Sequence, residues 1–282
     1  MKIKLATADY SFPLLEWEKA VRLAGDLGMS GIDVSLFEGR SQLDPAAALA
    51  NPARAGANAR DTVRAHGMRV ADVFGIPGRD FTELAPNHPD GAVRRASRNY
   101  FQKLIEFAAS SEARHVTVLP GVVVDGEKLS TSFGRSAEEL AWRRKIARDA
   151  GIELAFEAHT GSIVADPGLA LRLLESVPGL TLTLDPAHFI AQGYGRETIL
   201  PLVPYASHFH ARCAAPGRLQ APLKQNVIDF EDLAKRLTQS GYHGWYAIEY
   251  VWIDWEHCNE VDNLSETILL RDVLKKAAEA LA

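Results

Sequence analysis

Short apolar segments rich in β-branched residues alternate with longer amphipathic segments from one end of the chain to the other. The apolar runs IKLAT (3–7), GIDVSLF (31–37), MRVADVF (68–74), HVTVLP (115–120), IELAFE (152–157), LTLTLD (180–185), SHFHA (207–211) and WYAIEY (245–250) have the length and flanking turn residues of buried strands. Between them, helical spacing of apolar positions predicts helices near 14–27, 52–66, 91–110, 136–150, 167–177, 196–203, 229–240 and 261–281. Asn51-Pro52 and Asp166-Pro167 place proline just inside a helix behind a capping residue, and Asp229 precedes FEDLAKRL. Gly28, Gly31, Gly67, Gly151, Gly179 and Gly241 sit between helix ends and strand starts, where helix-terminating glycines belong. Eight strand–helix pairs predict an α/β protein, a (β/α)8 TIM barrel formed as a single domain over 1–282. An open doubly wound sheet would want a glycine-rich phosphate turn, and neither GxGxxG nor GxxxxGK occurs. The longest irregular segments, 75–90, 121–135, 212–228 and 251–260, follow strands 3, 4, 7 and 8. They therefore fall at the C-terminal mouth, where barrel sites form.

The polar residues that interrupt this pattern are informative. Glu157, Asp185, His210 and Glu249 each close an apolar run in the second half of the chain. Alternate strand residues face the lumen. Glu157 shares parity with Ala155, Asp185 with Thr183 and Thr181, and Glu249 with Ala247, while Leu154, Phe156, Leu182, Leu184, Tyr246 and Ile248 take the parity suited to packing under helices. The polar set is therefore expected to point inward. On strand 7, His208, His210 and Arg212 form a column, with His210 at the height of the other ligands and His208 one layer deeper. Three carboxylates and an imidazole make a hard, oxygen-rich donor set for one divalent ion, Mn²⁺ first, with Mg²⁺, Co²⁺ or Zn²⁺ also compatible. Such an ion relieves the repulsion among three convergent carboxylates.

Composition narrows the function. With 282 residues, 47% of them hydrophobic, the chain can bury a sizeable core. A net charge of −5 without a lysine- or arginine-rich block argues against nucleic acid or anionic membrane as partner. No 18-residue apolar run predicts a membrane span, and Asp9, Pro13 and Glu16 break the N-terminal segment that a signal peptide would need. Cys213 and Cys258 are too few for a disulfide scaffold and match no zinc motif, which fits a reduced, cytoplasmic setting. The expected partner is a small molecule.

At these residues the chain resembles the sugar phosphate isomerase/epimerase family of xylose isomerase-like TIM barrels, whose relatives include ketose 3-epimerases, inosose dehydratases and endonuclease IV. The resemblance covers essentially the whole chain, with its specific motifs between 152 and 250. It implies that Glu157, Asp185 within the D-x-x-H element DPAH, His210 and Glu249 bind the metal. It also implies that His188 contacts substrate, or a second metal as in some members, and that Arg212 holds substrate oxygens, with Arg218 in APGRLQAP as a rival for Arg212. In the ketose epimerases the two glutamates act as acid and base on opposite faces of the sugar, and the metal stabilises an enediolate. Carried over, Glu157 and Glu249 are the expected catalytic pair, acting on a ketose or related polyol-derived carbonyl compound. A homo-oligomer is compatible with the resemblance.

Two other reactions compete. A lyase, such as a dehydratase of a keto-inositol or 3-keto-sugar, would use the same enolate to expel a β-leaving group. An endonuclease IV-like repair enzyme would need further histidines at the ends of early strands, yet strand 3 ends in DVFGIP and strand 4 in TVLPG. A non-enzymatic sugar-binding protein would leave the ligand set idle. Around the mouth, Glu38, His159, Lys224, Trp252, Trp255 and His257 are candidates for substrate contact, while Phe12, Trp17 and Phe74 are at least as well suited to core packing.

Overall fold

The computed structural model describes residues 3–280; Met1 and Lys2 of the N-terminal segment and residue 281 of the predicted last helix lie outside them. Eight strands close a parallel barrel in chain order: β1 (Lys4–Ala8), β2 (Gly31–Phe37), β3 (Arg69–Ile76), β4 (His115–Val118), β5 (Glu153–Glu157), β6 (Thr181–Leu184), β7 (Ala206–Ala211) and β8 (Trp245–Ile248). The ring is sealed by β8 against β1, with Ala247 opposite Ala6. Its helices are α1 (Trp17–Asp26), α2 (Pro45–Ala50), α3 (Pro52–Ala65), α4 (Gly91–Ser110), α5 (Leu129–Asp149), α6 (Pro167–Ser176), α7 (Pro186–Ala191), α8 (Arg196–Ile199), α9 (Phe230–Gln239) and α10 (Asn263–Ala280). No helix among the described residues is long and apolar enough to cross a membrane.

The expected alternation is present, with five departures, the first being that α7 forms directly after β6 where no helix was expected. Helix α5 begins at Leu129, so only the first part of 121–135 is loop. A short α2 forms where none was expected, its start set by Asp44, whose side chain accepts from Ala47 N, and by Pro45 behind it. The region near 196–203 divides into α8 and a 3₁₀ turn, Leu200–Tyr205. Gly28, Gly67, Gly151, Gly179 and Gly241 take positive φ, but Gly31 does not. It instead opens β2 in close contact with β8, because a Cβ there would meet the Trp245 ring at 2.7 Å.

Two apolar regions follow from strand parity. Outside the sheet, Ile32, Val34, Leu36, Leu154, Phe156, Leu182, Leu184 and Ile248 join the helices' inner faces in one continuous core. Inside, the lumen is layered. Ala6, Ala71 and Ala247 pack with Trp245 toward the N-terminal end. Tyr10, Phe37, Phe74, Ile76 and Leu119 cluster near the C-terminal ends of β1 to β4. Between and beside these layers lie buried polar residues, among them Asp33, Asp72, His115, Thr117, Thr183 and His208.

Candidate active site

Three of the four expected ligands, Glu157, His210 and Glu249, converge, and Asp185 is joined to Glu249 through Arg212. Glu157 is the last residue of β5, His210 lies within β7, and Asp185 and Glu249 directly follow β6 and β8. All four are at most 4% exposed. Ligand atoms of Glu157, His210 and Glu249 lie within 4.8 Å of one another. His210 Nδ1 donates to Glu157 Oε1 at 2.8 Å and is 3.2 Å from Glu249 Oε2.

The DPAH element places two groups with one turn of helix. Asp185 caps α7, its Oδ1 accepting from Ala187 N at 2.8 Å, and Pro186 occupies the first helical position. Oδ2 is thereby left for the lumen. Three residues on, His188 lies on the same side of α7, with Nε2 3.6 Å from Asp185 Oδ2 and 3.8 Å from Glu157 Oε2. Thr160 N donates to His188 Nδ1 at 3.2 Å, and Arg212 Nη2 lies 3.3 Å from His188 Nε2 at the other edge of the ring. Burial holds His188 far below the usual histidine range, with the charges of Arg212 and His210 acting the same way.

Arg212, just beyond β7, donates to Asp185 Oδ2 and lies 3.4 Å from Glu249 Oε2. It is buried and offers the quartet a permanent positive charge. Arg218, the rival, pairs with Glu260 at 2.6 Å on the exposed surface. The two stand apart.

The two glutamates have opposed electrostatics. Burial, reinforced by the charge of Glu249, raises Glu157 to about 7. Burial also disfavours ionised Glu249, but His210 and Arg212 outweigh it and hold this carboxyl at about 2. Tyr10, in the 3₁₀ turn after β1, donates its hydroxyl to Glu249 Oε1 at 2.5 Å. Glu249 Oε2 has no hydrogen-bond partner. Two carboxylates and an imidazole whose ligand atoms lie within 4.8 Å of one another are a donor set that suits a divalent cation, so Glu157, His210 and Glu249 fit the implied ion.

Sequence periodicity did not single out Tyr10, which lies in a turn. Asp33 in GIDVSLF and Asp72 in VADVF could have been found by the parity argument that identified Glu157, since each is an aspartate in an apolar strand. Both are fully buried in the lumen. His208 lies in the deeper layer, donating to Asp33 Oδ2 at 2.8 Å.

The peripheral candidates separate. His159 packs 4.1 Å from the His188 ring, stacks on Trp255 at 5.4 Å and meets the edge of Phe81 at 5.0 Å. Trp255 lies in the loop after β8, where the next two residues, Glu256 and His257, have left-handed backbone at φ 54° and 59°. Phe74 approaches His210, with ring centroids 6.1 Å apart. Phe12 and Trp17 belong to the outer core. Glu38, Lys224, Trp252 and His257 are exposed and make no contact with the quartet. A cavity of about 1200 Å³ opens at the opposite, N-terminal end of the barrel, lined by Lys4, His115, Ser207, His208 and Trp245 among others. None of the quartet lines it.

The family described as xylose isomerase-like TIM barrel matches residues 21–275. No curated protein matches the sequence. Similar solved structures include D-psicose 3-epimerase with D-tagatose from Clostridium cellulolyticum H10, at 13% identity and TM-score 0.77, covering 98% of this chain and 99% of that one. The 3-keto-D-glucoside 4-epimerase YcjR from E. coli has 15% identity and TM-score 0.72 over 96% of this chain and all of its own. The IolI protein with a bound zinc atom has 15% identity and TM-score 0.72 over 98% and 96%.

Proposed function

Because the chain belongs to the xylose isomerase-like TIM barrel family, we propose that it is a divalent-metal-dependent isomerase or epimerase of a ketose or related carbonyl polyol. Glu157, Asp185, His210 and Glu249 would hold the ion, with Mn²⁺ favoured by the oxygen-rich donor set. When bound, that ion supplies Lewis acidity that makes a C–H beside a substrate carbonyl easier to ionise.

The observation that carries this reading is the convergence of Glu157, His210 and Glu249, whose ligand atoms lie within 4.8 Å of one another. Glu157 and Glu249, both close to His210 Nδ1, would share the acid and base work. Arg212 presents its guanidinium, with His188 Nε2 beside it, to oxygens on which negative charge develops. Across the lumen, Tyr10, Phe37, Phe74 and Leu119 give an apolar surface suited to the C–H face of a sugar. Support also comes from similar structures that are epimerases of ketoses and of a keto-glucoside.

The test is solvent-deuterium incorporation. Mn²⁺-loaded protein in D₂O should label a ketose at the carbon next to its carbonyl, and Glu157→Gln or Glu249→Gln should lower the rate at least 100-fold, about 2.7 kcal/mol in barrier, with the circular dichroism spectrum unchanged. Undiminished labelling in both variants would refute these roles.

A further inference from the structure

Beneath the quartet a second group of ionisable side chains is sealed inside the barrel. Asp33 on β2, Asp72 on β3 and His208 on β7 are fully buried. A ligand atom from each, together with one from His210, lies within 4.8 Å of the others. His208 Nε2 donates to Asp33 Oδ2 at 2.8 Å, and His210 Nε2 faces the same oxygen at 3.3 Å. Four atoms here have no hydrogen-bond partner: Asp33 Oδ1, Asp72 Oδ2, His208 Nδ1 and His210 Nε2. Each unpaired buried polar atom costs on the order of 1–3 kcal/mol, and His210 Nε2, one of the four, faces Asp33 Oδ2 within the cluster.

The chemistry of the donors says what would satisfy them. Two carboxylates and two imidazoles are ligands for a divalent transition ion, and carboxylates repel an anion. Asp72 is held as an anchored ligand should be. Its Oδ1 bonds His115 Nδ1 at 2.7 Å, and His115 Nε2 bonds Ser207 Oγ at 2.8 Å. Ser207 in turn donates to Thr181 Oγ1 at 2.7 Å. Such outer partners orient a carboxylate and leave its second oxygen for a metal. A route in also exists, because His115, Ser207 and His208 line the cavity at the N-terminal end of the barrel, away from the substrate mouth.

We infer that Asp33, Asp72, His208 and the Nε2 edge of His210 form a second divalent-cation site in the barrel floor, separate from the quartet above it. His210 would bridge the two as an imidazolate, giving up its ring protons to solvent on loading, with Nδ1 toward Glu157 and Glu249 and Nε2 toward the floor. Only modest closure is needed. Ligand atoms around an ion with bonds of about 2.1 Å lie roughly 3.4 Å apart, between the 2.8 Å of the closest pair and the 4.8 Å limit of the group.

The test is metal content. The full chain is stripped with chelator, reloaded with Mn²⁺, dialysed and assayed by elemental mass spectrometry. Two ions per chain are expected for the unmodified protein, one for Asp72→Asn, one for Glu157→Gln/Glu249→Gln, and none when all three substitutions are combined. One ion in the unmodified protein that Asp72→Asn retains would overturn the floor site and leave the quartet standing. One ion lost in Asp72→Asn but kept in Glu157→Gln/Glu249→Gln would support the floor site and sink the quartet as the metal centre. No ion in any form would overturn both. Should Asp72→Asn fail to fold, electron paramagnetic resonance of the unmodified chain decides. Spin-coupled manganese supports two ions flanking His210, and an isolated six-line spectrum overturns the floor site.

Discussion

At the scale of single residues, the barrel interior is held together by polar groups whose charge states are set by their neighbours. Asp9, in the turn after β1, shows this outside the quartet. Its carboxylate accepts from Tyr10 N at 2.7 Å and Ser35 N at 3.1 Å, yet burial outweighs these bonds and raises it from 3.8 to about 7. The sign follows from linkage: between pH 4 and 7 the folded chain binds a proton that the unfolded chain has released, so this residue's contribution to stability falls as pH rises through that window. Asp9→Asn keeps an acceptor in the Oδ1 position and cannot ionise. Urea titrations of both proteins should show the variant gaining on the parent from pH 4 to 7 by a few kcal/mol, since each tenfold change in proton affinity is worth roughly 1.4 kcal/mol; a constant difference would show that Asp9 titrates normally. The quartet was legible because each member ends an apolar run. Tyr10 was not, because a turn carries no periodicity to interrupt. Asp33 and Asp72 carried the same signal as Glu157 in strands 2 and 3, where the resemblance placed no ligand.

At the scale of elements, local capping chemistry aims the side chains. Asp185 both caps α7 through Oδ1 and faces the lumen through Oδ2. Asp185→Asn separates the two tasks, since asparagine caps about as well as aspartate but is a weaker, uncharged ligand. Mn²⁺ affinity should fall more than tenfold while the thermal midpoint of the metal-stripped protein stays within a few degrees of the parent; undiminished affinity would remove Asp185 from the ligand set. Strand positions were readable to within two residues, because parity and length both constrain a buried strand. Helix starts were less so. In α5, LSTSFGR precedes the expected start, and its serines, threonine and glycine read as loop, but Ser132 and Phe133 are buried and Ser132 accepts the Asn87 side chain on its carbonyl. Tertiary packing overrode weak propensity there. The loop after β8 gave an aromatic cluster in sequence but not its geometry, which depends on two left-handed residues that no glycine announces.

At the scale of the whole molecule, the C-terminal mouth of the barrel divides between an apolar half, contributed by the ends of β1 to β4, and a charged half contributed by the ends of β5 to β8. That division was implicit in the order of the strands, since the polar endings all fall in the second half of the chain. Substrate identity was not, because it depends on loops such as the one bearing Trp255. The packed charges make the fold and the ion interdependent, as a ligand that binds only the native state stabilises it by mass action. Adding Mn²⁺ at about 100 times its dissociation constant should stabilise the chelator-treated protein by roughly 2.7 kcal/mol, seen as a raised thermal midpoint; an unchanged midpoint in both forms would mean that no ion is held in the native state. The most direct test of the account is anomalous diffraction from crystals soaked in Mn²⁺. A peak enclosed by Glu157, Asp185, His210 and Glu249 is the predicted result, and density showing these four side chains around no scatterer, with Arg212 still bridging Asp185 and Glu249, would contradict it.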